Sequence, residues 1–205
     1  MNDDPSAAPT AAPRRRSQAR ERILTTADRL FYNEGIHAVG IQRIIAESQV
    51  TRVTLYRHFP SKDDLISAYL ERRAQYDRDQ VAGIIDAHPE DPRLALTELA
   101  TALTRDDFAA MRRGCPFINA SAEFVGAHPA KVHAYDIRHW VTERIEELLT
   151  RLGHSDPHST AAQLMMVRTG AVVSGALDRD ERLNENFLTC WNKLIDDGLH
   201  QAHIA

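Results

Sequence analysis

The residues best equipped for chemistry sit close together, between positions 42 and 62. Thr51, Arg52, Tyr56 and Arg57 fall on the outward side of one short helical stretch, TRVTLYRHF, whose Leu55 and Phe59 face inward. Gln42 and Arg43 lie at the exposed edge of the stretch before it, and Ser61 and Lys62 begin the one after it. Cations and hydroxyls on a slim helix suit phosphate oxygens and the edges of base pairs in a major groove about 12 Å wide. The uncapped amides at the start of the following helix, with Lys62 beside them, offer a further phosphate site. Covalent or hydrolytic chemistry lacks its parts. There is no G-x-S-x-G, phosphate-binding P-loop, H-E-x-x-H or Gly-rich dinucleotide loop. No cofactor is expected.

Ten histidines raise the question of a metal. Glu123, His128 and His133 are the trio to weigh, but their spacing is irregular and His128 precedes Pro129, where a helix cap is expected. No metal site is therefore assigned. Cys115 and Cys190 form no CxxC pair and read as two small buried hydrophobes.

Charge is distributed unevenly. Between positions 14 and 62 there are ten Lys or Arg against four acids, a net of +6. The chain as a whole carries −4, so the remainder carries about −10. A basic head on an acidic body is expected when one end alone meets phosphates. It argues against an architectural protein that coats DNA broadly. No apolar run reaches the roughly 18 residues of a membrane span, and the first residues lack the apolar core of a secretory signal. A cytoplasmic protein with no membrane partner is expected.

The elements that must hold these residues read as helices throughout. Residues 1–16, rich in Pro, Ala, Ser and Thr, read as a disordered tail. Its basic end at 14–16 is either a solvated charge run or an arm for the minor groove. Ser17 reads as an N-cap, and Ile23, Leu24, Ala27, Leu30 and Phe31 repeat on one helical face up to Gly35. Ile41, Ile44 and Ile45 mark a short second helix, and Ser48-Gln49-Val50 a tight turn. Ser61 and Asp64 make a capping box for a long helix from about 62 to 88, on which Leu65, Ile66, Tyr69, Leu70, Tyr76 and Val81 face inward. Five more helices follow. Asp91-Pro92, Cys115-Pro116, His128-Pro129 and Asp156-Pro157 open four of them, and Asp178 with Glu181 opens the last. No segment alternates with period two. The fold class is all-α, about nine helices, with a three-helix helix-turn-helix head at 17–62 and a helical domain at 63–205.

The stretch IQRIIAESQVTRVTLYRHFPSKDDLISAYL resembles the DNA-binding signature of the TetR family of transcriptional regulators. In that family T-L-Y-x-H-F-x-S-K-x-x-L spans the recognition helix and the start of the fourth helix. Thr54, Leu55, Tyr56, His58, Phe59, Ser61, Lys62 and Leu65 match it. The later segment RRGCPFINASAEF also looks like a subgroup of these regulators. The resemblance implies that Tyr56, Lys62 and His58 contact phosphates of a double-stranded operator and that Thr51 and Arg52 read base edges. Two positions depart from the family pattern: Gln49 stands where Gly is usual, and Val53 where a small residue is common. A side chain in a left-handed turn costs about 1 kcal/mol. Val53 would either touch a thymine methyl or hold the helix off the bases. For the second domain the resemblance implies a pocket for a small-molecule effector and a homodimer through the last two helices. Phe108, Met111, Phe117, Phe124, Tyr135, Trp140, Met165 and Met166 are candidates for an apolar lining, and Asn119, Glu123, His128, His133 and His139 for polar contacts. Each apolar one, taken singly, reads as plain core more readily than as lining.

Overall fold

The long amphipathic helices of the sequence fold as helices, and the turn residues between them end them. The computed structural model describes residues 11–105, 113–178 and 180–202. Among these residues there are nine helices and no strand: α1 (Ala11–Glu34), α2 (Ile41–Ser48), α3 (Arg52–His58), α4 (Lys62–Ala87), α5 (Pro92–Arg105), α6 (Pro116–Glu123), α7 (Pro129–Arg151), α8 (Pro157–Leu177) and α9 (Leu183–Ala202).

The chain divides into two compact units, the first ending at Tyr69 and the second starting at Leu70. The division falls inside α4, beyond the boundary at residue 62 read from the sequence. The reason lies in the first turns of α4. Leu65, Ile66 and Tyr69 are fully buried, and the Tyr69 ring meets Phe31 of α1 edge-on at 5.7 Å. With Ile23, Leu24, Leu30, Ile44, Leu55 and Phe59 they form the core of the first unit. In the second unit α7 and α8 pack together, α6 and α5 lie on α7, and α9 lies on α8 and α5. Trp191 and Phe187, with ring centroids 5.6 Å apart, anchor α9, and Leu96, Ile145, Leu148, Leu149 and Leu164 are buried with them.

Several boundaries differ from the sequence reading. α1 starts at Ala11, six residues before Ser17, so residues 11–16 are helical rather than part of a tail. Pro13 permits this because the first turn of a helix has no intrahelical use for its N–H groups, and Ala and Arg favour helix. The last helix starts at Leu183, after Asp180 accepts from the Arg182 N–H at 2.9 Å. Asp178 instead ends α8, its N–H bonded to the Ser174 carbonyl. Tyr76, expected in the core, is exposed on α4, and Cys190, expected to be buried, is exposed on α9. Both sit on helices with a two-sided pattern, where one residue of register decides the face. The other caps stand where the sequence placed them. His128 accepts from the Ala130 N–H at 3.1 Å, Asp156 from Ser159 at 3.1 Å, and Asp91 from Leu94 at 2.8 Å.

Candidate nucleic-acid interface

The recognition helix is short, and its position follows from two buried residues and a cap. Leu55 and Phe59 are buried on the inner side of α3. The Thr51 hydroxyl accepts from the Thr54 N–H at 3.1 Å and lies 2.9 Å from the Thr54 hydroxyl, which fixes the start of the helix. On the other side Thr51, Arg52, Val53, Tyr56 and Arg57 are exposed, with Thr54 and His58 half-buried. Val53 is 76% exposed, an apolar side chain presented largely to solvent. The Arg52 guanidinium carbon lies 5.6 Å from the Tyr56 ring centroid, a cation–π contact that restricts the arginine without using its N–H donors. Arg20 of α1 lies over the Phe59 ring at 5.3 Å, bringing a second cation to the end of α3.

The turn between α2 and α3 carries the departure noted in the sequence. Gln49 has φ 54° and ψ 46°, the one non-glycine at positive φ among the described residues. The Gln49 N–H bonds to the Ala46 carbonyl and the Val50 N–H to the Ile45 carbonyl, both at 3.3 Å. These are the bonds that a glycine normally supports at a helix C-terminus. Ser48 is buried and returns its hydroxyl to the Ile44 carbonyl at 2.6 Å.

Two expected DNA contacts have other ties. Arg43 is ion-paired with Glu34 at the end of α1 and, at 2.8 Å, with Glu47 one turn along α2, while Glu47 also pairs with Arg29. Arg29 first, and then Arg43, hold the Glu47 carboxyl below the ordinary carboxylate range, and Glu34 and Glu47 raise the Arg43 guanidinium. This network ties α2 to α1 through the exposed Arg43 guanidinium. Gln42 beside it is exposed. The Lys62 ammonium donates to the Ile36 carbonyl at 2.6 Å and lies 5.9 Å from the Phe31 ring. It joins the start of α4 to the turn after α1, and its three N–H donors allow a phosphate as well. The capping box is present: Ser61 N–H to Asp64 at 2.9 Å and Asp64 N–H to the Ser61 hydroxyl at 3.0 Å. Asp64 therefore occupies part of the amide site that the sequence offered to a phosphate.

The candidates in the second unit scatter. Phe117 and Met165 are buried. Trp140 is half-buried beneath Arg144, 5.7 Å from its ring centroid. Phe124 stacks on the His128 ring at 3.6 Å, which makes these two a latch between α6 and α7 rather than free lining. Asn119 donates to the Arg113 carbonyl, and His133 faces Glu71 at 3.6 Å. Tyr135, stacked on His139 at 5.6 Å, and Met166 are exposed. Phe108 and Met111 lie outside the described residues. Among the described residues no three His, Cys, Asp or Glu gather in a way that could hold a metal ion. None of their helices is long and apolar enough to cross a membrane. Arg20, over the Phe59 ring, is a cation at the end of α3 that the sequence reading did not single out, and nothing local in α1 announces a partner 39 positions on.

Comparison with known proteins gives these features a context. The family described as bacterial regulatory proteins, tetR family, matches residues 23–69. SCO4454, a TetR-family transcriptional regulator from Streptomyces coelicolor, is 41% identical, with a TM-score of 0.82 over 89% of this chain and 96% of that one. The HTH-type transcriptional regulator LmrA of Bacillus subtilis is 36% identical over 70 residues, 34% of this chain and 37% of LmrA. The HTH-type transcriptional activator FasR of Mycolicibacterium smegmatis is 37% identical over 57 residues, 28% of this chain and 26% of FasR. The chain thus spans only about a quarter to a third of the length of these two curated relatives.

Proposed function

Because the chain belongs to the TetR family of DNA-binding transcriptional regulators, which are not enzymes, we propose that it is a repressor released from its operator by a small-molecule effector. In this reading it works as a homodimer in the cytoplasm. The first unit, which ends at Tyr69, is the DNA-binding head, the second, from Leu70, binds the effector and dimerises, and α4 runs from one into the other.

The observation that carries the dimer is the outer face of α8. Ala162, Met166, Gly170, Val173 and Leu177 recur every three or four residues, all exposed and all without charge. Met166 is 60%, Val173 42% and Leu177 77% exposed. A continuous apolar stripe on a helix needs a partner, and a second copy of the same stripe closes it with two-fold symmetry. Two-fold symmetry in turn presents two copies of α3, which calls for a near-palindromic operator with half-sites about 34–36 Å apart. Thr51, Arg52, Val53 and Thr54 then read bases, and Tyr56, Arg57, His58 and Lys62 hold phosphates, with Gln42 at the flank.

Light scattering tests the dimer and competitive selection of duplexes from a random library tests the operator. A particle of twice 23.1 kDa and an inverted repeat are expected. A monomer that stays monomeric on DNA, or a selected site without symmetry, would refute the scheme.

A further inference from the structure

The outer face of α3 carries apolar surface as well as cations. Among the described residues of the first unit, Val53 and Tyr56 are the only large apolar side chains left exposed, and both stand on this face. They lie three residues apart, which makes them neighbours on a helix. The two are not equivalent. Tyr56 has a hydroxyl of its own, and the Arg52 guanidinium lies over its ring. Val53 has no polar atom and is the more exposed of the two. The stretch that holds it is basic, with a net of +6 between positions 14 and 62, so its natural partner is a polyanion. Single exposed valines are ordinary on a protein surface. This one stands between Arg52 and Thr54, on the face that would meet base edges.

We infer that Val53 reads the 5-methyl group of a pyrimidine, thymine in an ordinary duplex, and makes that methyl a requirement of each half-site. This rests on the reading of α3 as the recognition helix and adds the chemical group that one of its residues takes. In the major groove the base pairs present acceptors and amino donors, and the thymine methyl is the one apolar group among them. A valine set against any other edge covers a donor or acceptor that water would otherwise bond, and gives it nothing in return. Set against the methyl, it buries apolar surface on both sides. Val53 therefore selects by exclusion as well as by attraction. Its position is settled before DNA arrives. The Thr54 N–H is bonded to the Thr51 hydroxyl at 3.1 Å, and Leu55 is buried beneath. A β-branched side chain in a helix keeps nearly to one rotamer, so little ordering remains to be done on binding. The same contact accepts 5-methylcytosine, which carries its methyl at the same ring position.

The test is competitive fluorescence anisotropy of the full chain, as wild type, Val53→Ala and Arg52→Ala, on a duplex selected from a random library. Each thymine in turn is replaced by deoxyuridine, which removes the methyl and leaves the pairing intact. One thymine position in each half-site should cost wild type about fourfold, the worth of one buried methyl, and about 15-fold when both half-sites are changed. Val53→Ala keeps a good helix former at the position and should bind the thymine and deoxyuridine duplexes alike there. With a C·G pair at that position wild type should bind weakly, and 5-methylcytosine should recover part of the loss for wild type and none for Val53→Ala. If no thymine position separates wild type from Val53→Ala, or if Val53→Ala binds the selected duplex more tightly, the valine is a spacer and the inference falls. A preference that Arg52→Ala still reduces would then leave α3 as the reading helix. If neither variant changes the preference for the selected over a scrambled duplex, α3 is outside the interface, and the inference falls together with that reading.

Discussion

Replacing Gln49 by glycine should stabilise the helix-turn-helix, against the general rule that glycine weakens a folded chain. Gln49 occupies the left-handed region at φ 54° and ψ 46°, where a side chain costs about 1–2 kcal/mol. Its side chain is exposed and has no hydrogen-bond partner among the described residues, so the substitution removes no hydrogen bond. Glycine loses about 0.5–1 kcal/mol more conformational entropy on folding. The difference leaves a gain of about 0.5–1 kcal/mol. The companion change Gln49→Val puts a β-branched residue at the same φ and should cost at least about 1 kcal/mol. Both tryptophans, Trp140 and Trp191, lie in the second unit, so their fluorescence does not report on the head. Amide hydrogen exchange across 41–59 does. The opening free energy of those amides should rise in Gln49→Gly and fall in Gln49→Val. A fall in both variants would mean that the glutamine is held by something other than the turn, and the strain argument would be lost.

Other expectations follow from single contacts. Gly198→Ala would place a Cβ 1.9 Å from the His154 ring, which is itself held by the Asp156 N–H at 3.1 Å. It should destabilise the second unit by about 1–3 kcal/mol in urea unfolding, and adding His154→Ala should recover part of the loss. Glu47 has its pKa lowered on folding, so its contribution is present above the unfolded carboxylate value, about 4.3, and disappears as pH falls through the folded one. Acid titration of head stability should show this loss in wild type and a smaller one in Glu47→Gln, with high salt narrowing the gap. Lys62→Ala removes both the bond to the Ile36 carbonyl and a candidate phosphate contact. It should cost about 1 kcal/mol of head stability and weaken selected and random duplexes alike, with a shallower salt dependence.

Local signals were legible in the sequence, and distant pairings were not. Leu55 and Phe59 are buried because the period of α3 dictates it. Ser61 with Asp64, Thr51, His128 and Asp156 cap helices because their side chains satisfy amides two or three residues on. Gly35 and Gly153 end helices at positive φ for the same local reason. Arg43 is exposed by its own helix, and nothing local announces Glu34 of α1 as its partner. Lys62 likewise reaches Ile36, 26 residues earlier. The effector candidates carry the weakest local signal, since an aromatic or Met in an all-helical unit has the same pattern whether it lines a site, fills a core or covers a partner. Met165 and Met166 are neighbours with opposite fates, one buried and one exposed on the α8 stripe.

The central claim is that the outer face of α3 reads base pairs. The direct test is fluorescence anisotropy of wild type and Arg52→Ala on a library-selected duplex and on a scrambled duplex of the same length, at fixed salt. Wild type should prefer the selected duplex by about 10³-fold or more. Arg52→Ala should lose about 1–3 kcal/mol of that preference while its affinity for the scrambled duplex changes little. Equal losses on both duplexes would reduce Arg52 to a phosphate contact, and no loss on either would take α3 out of the interface.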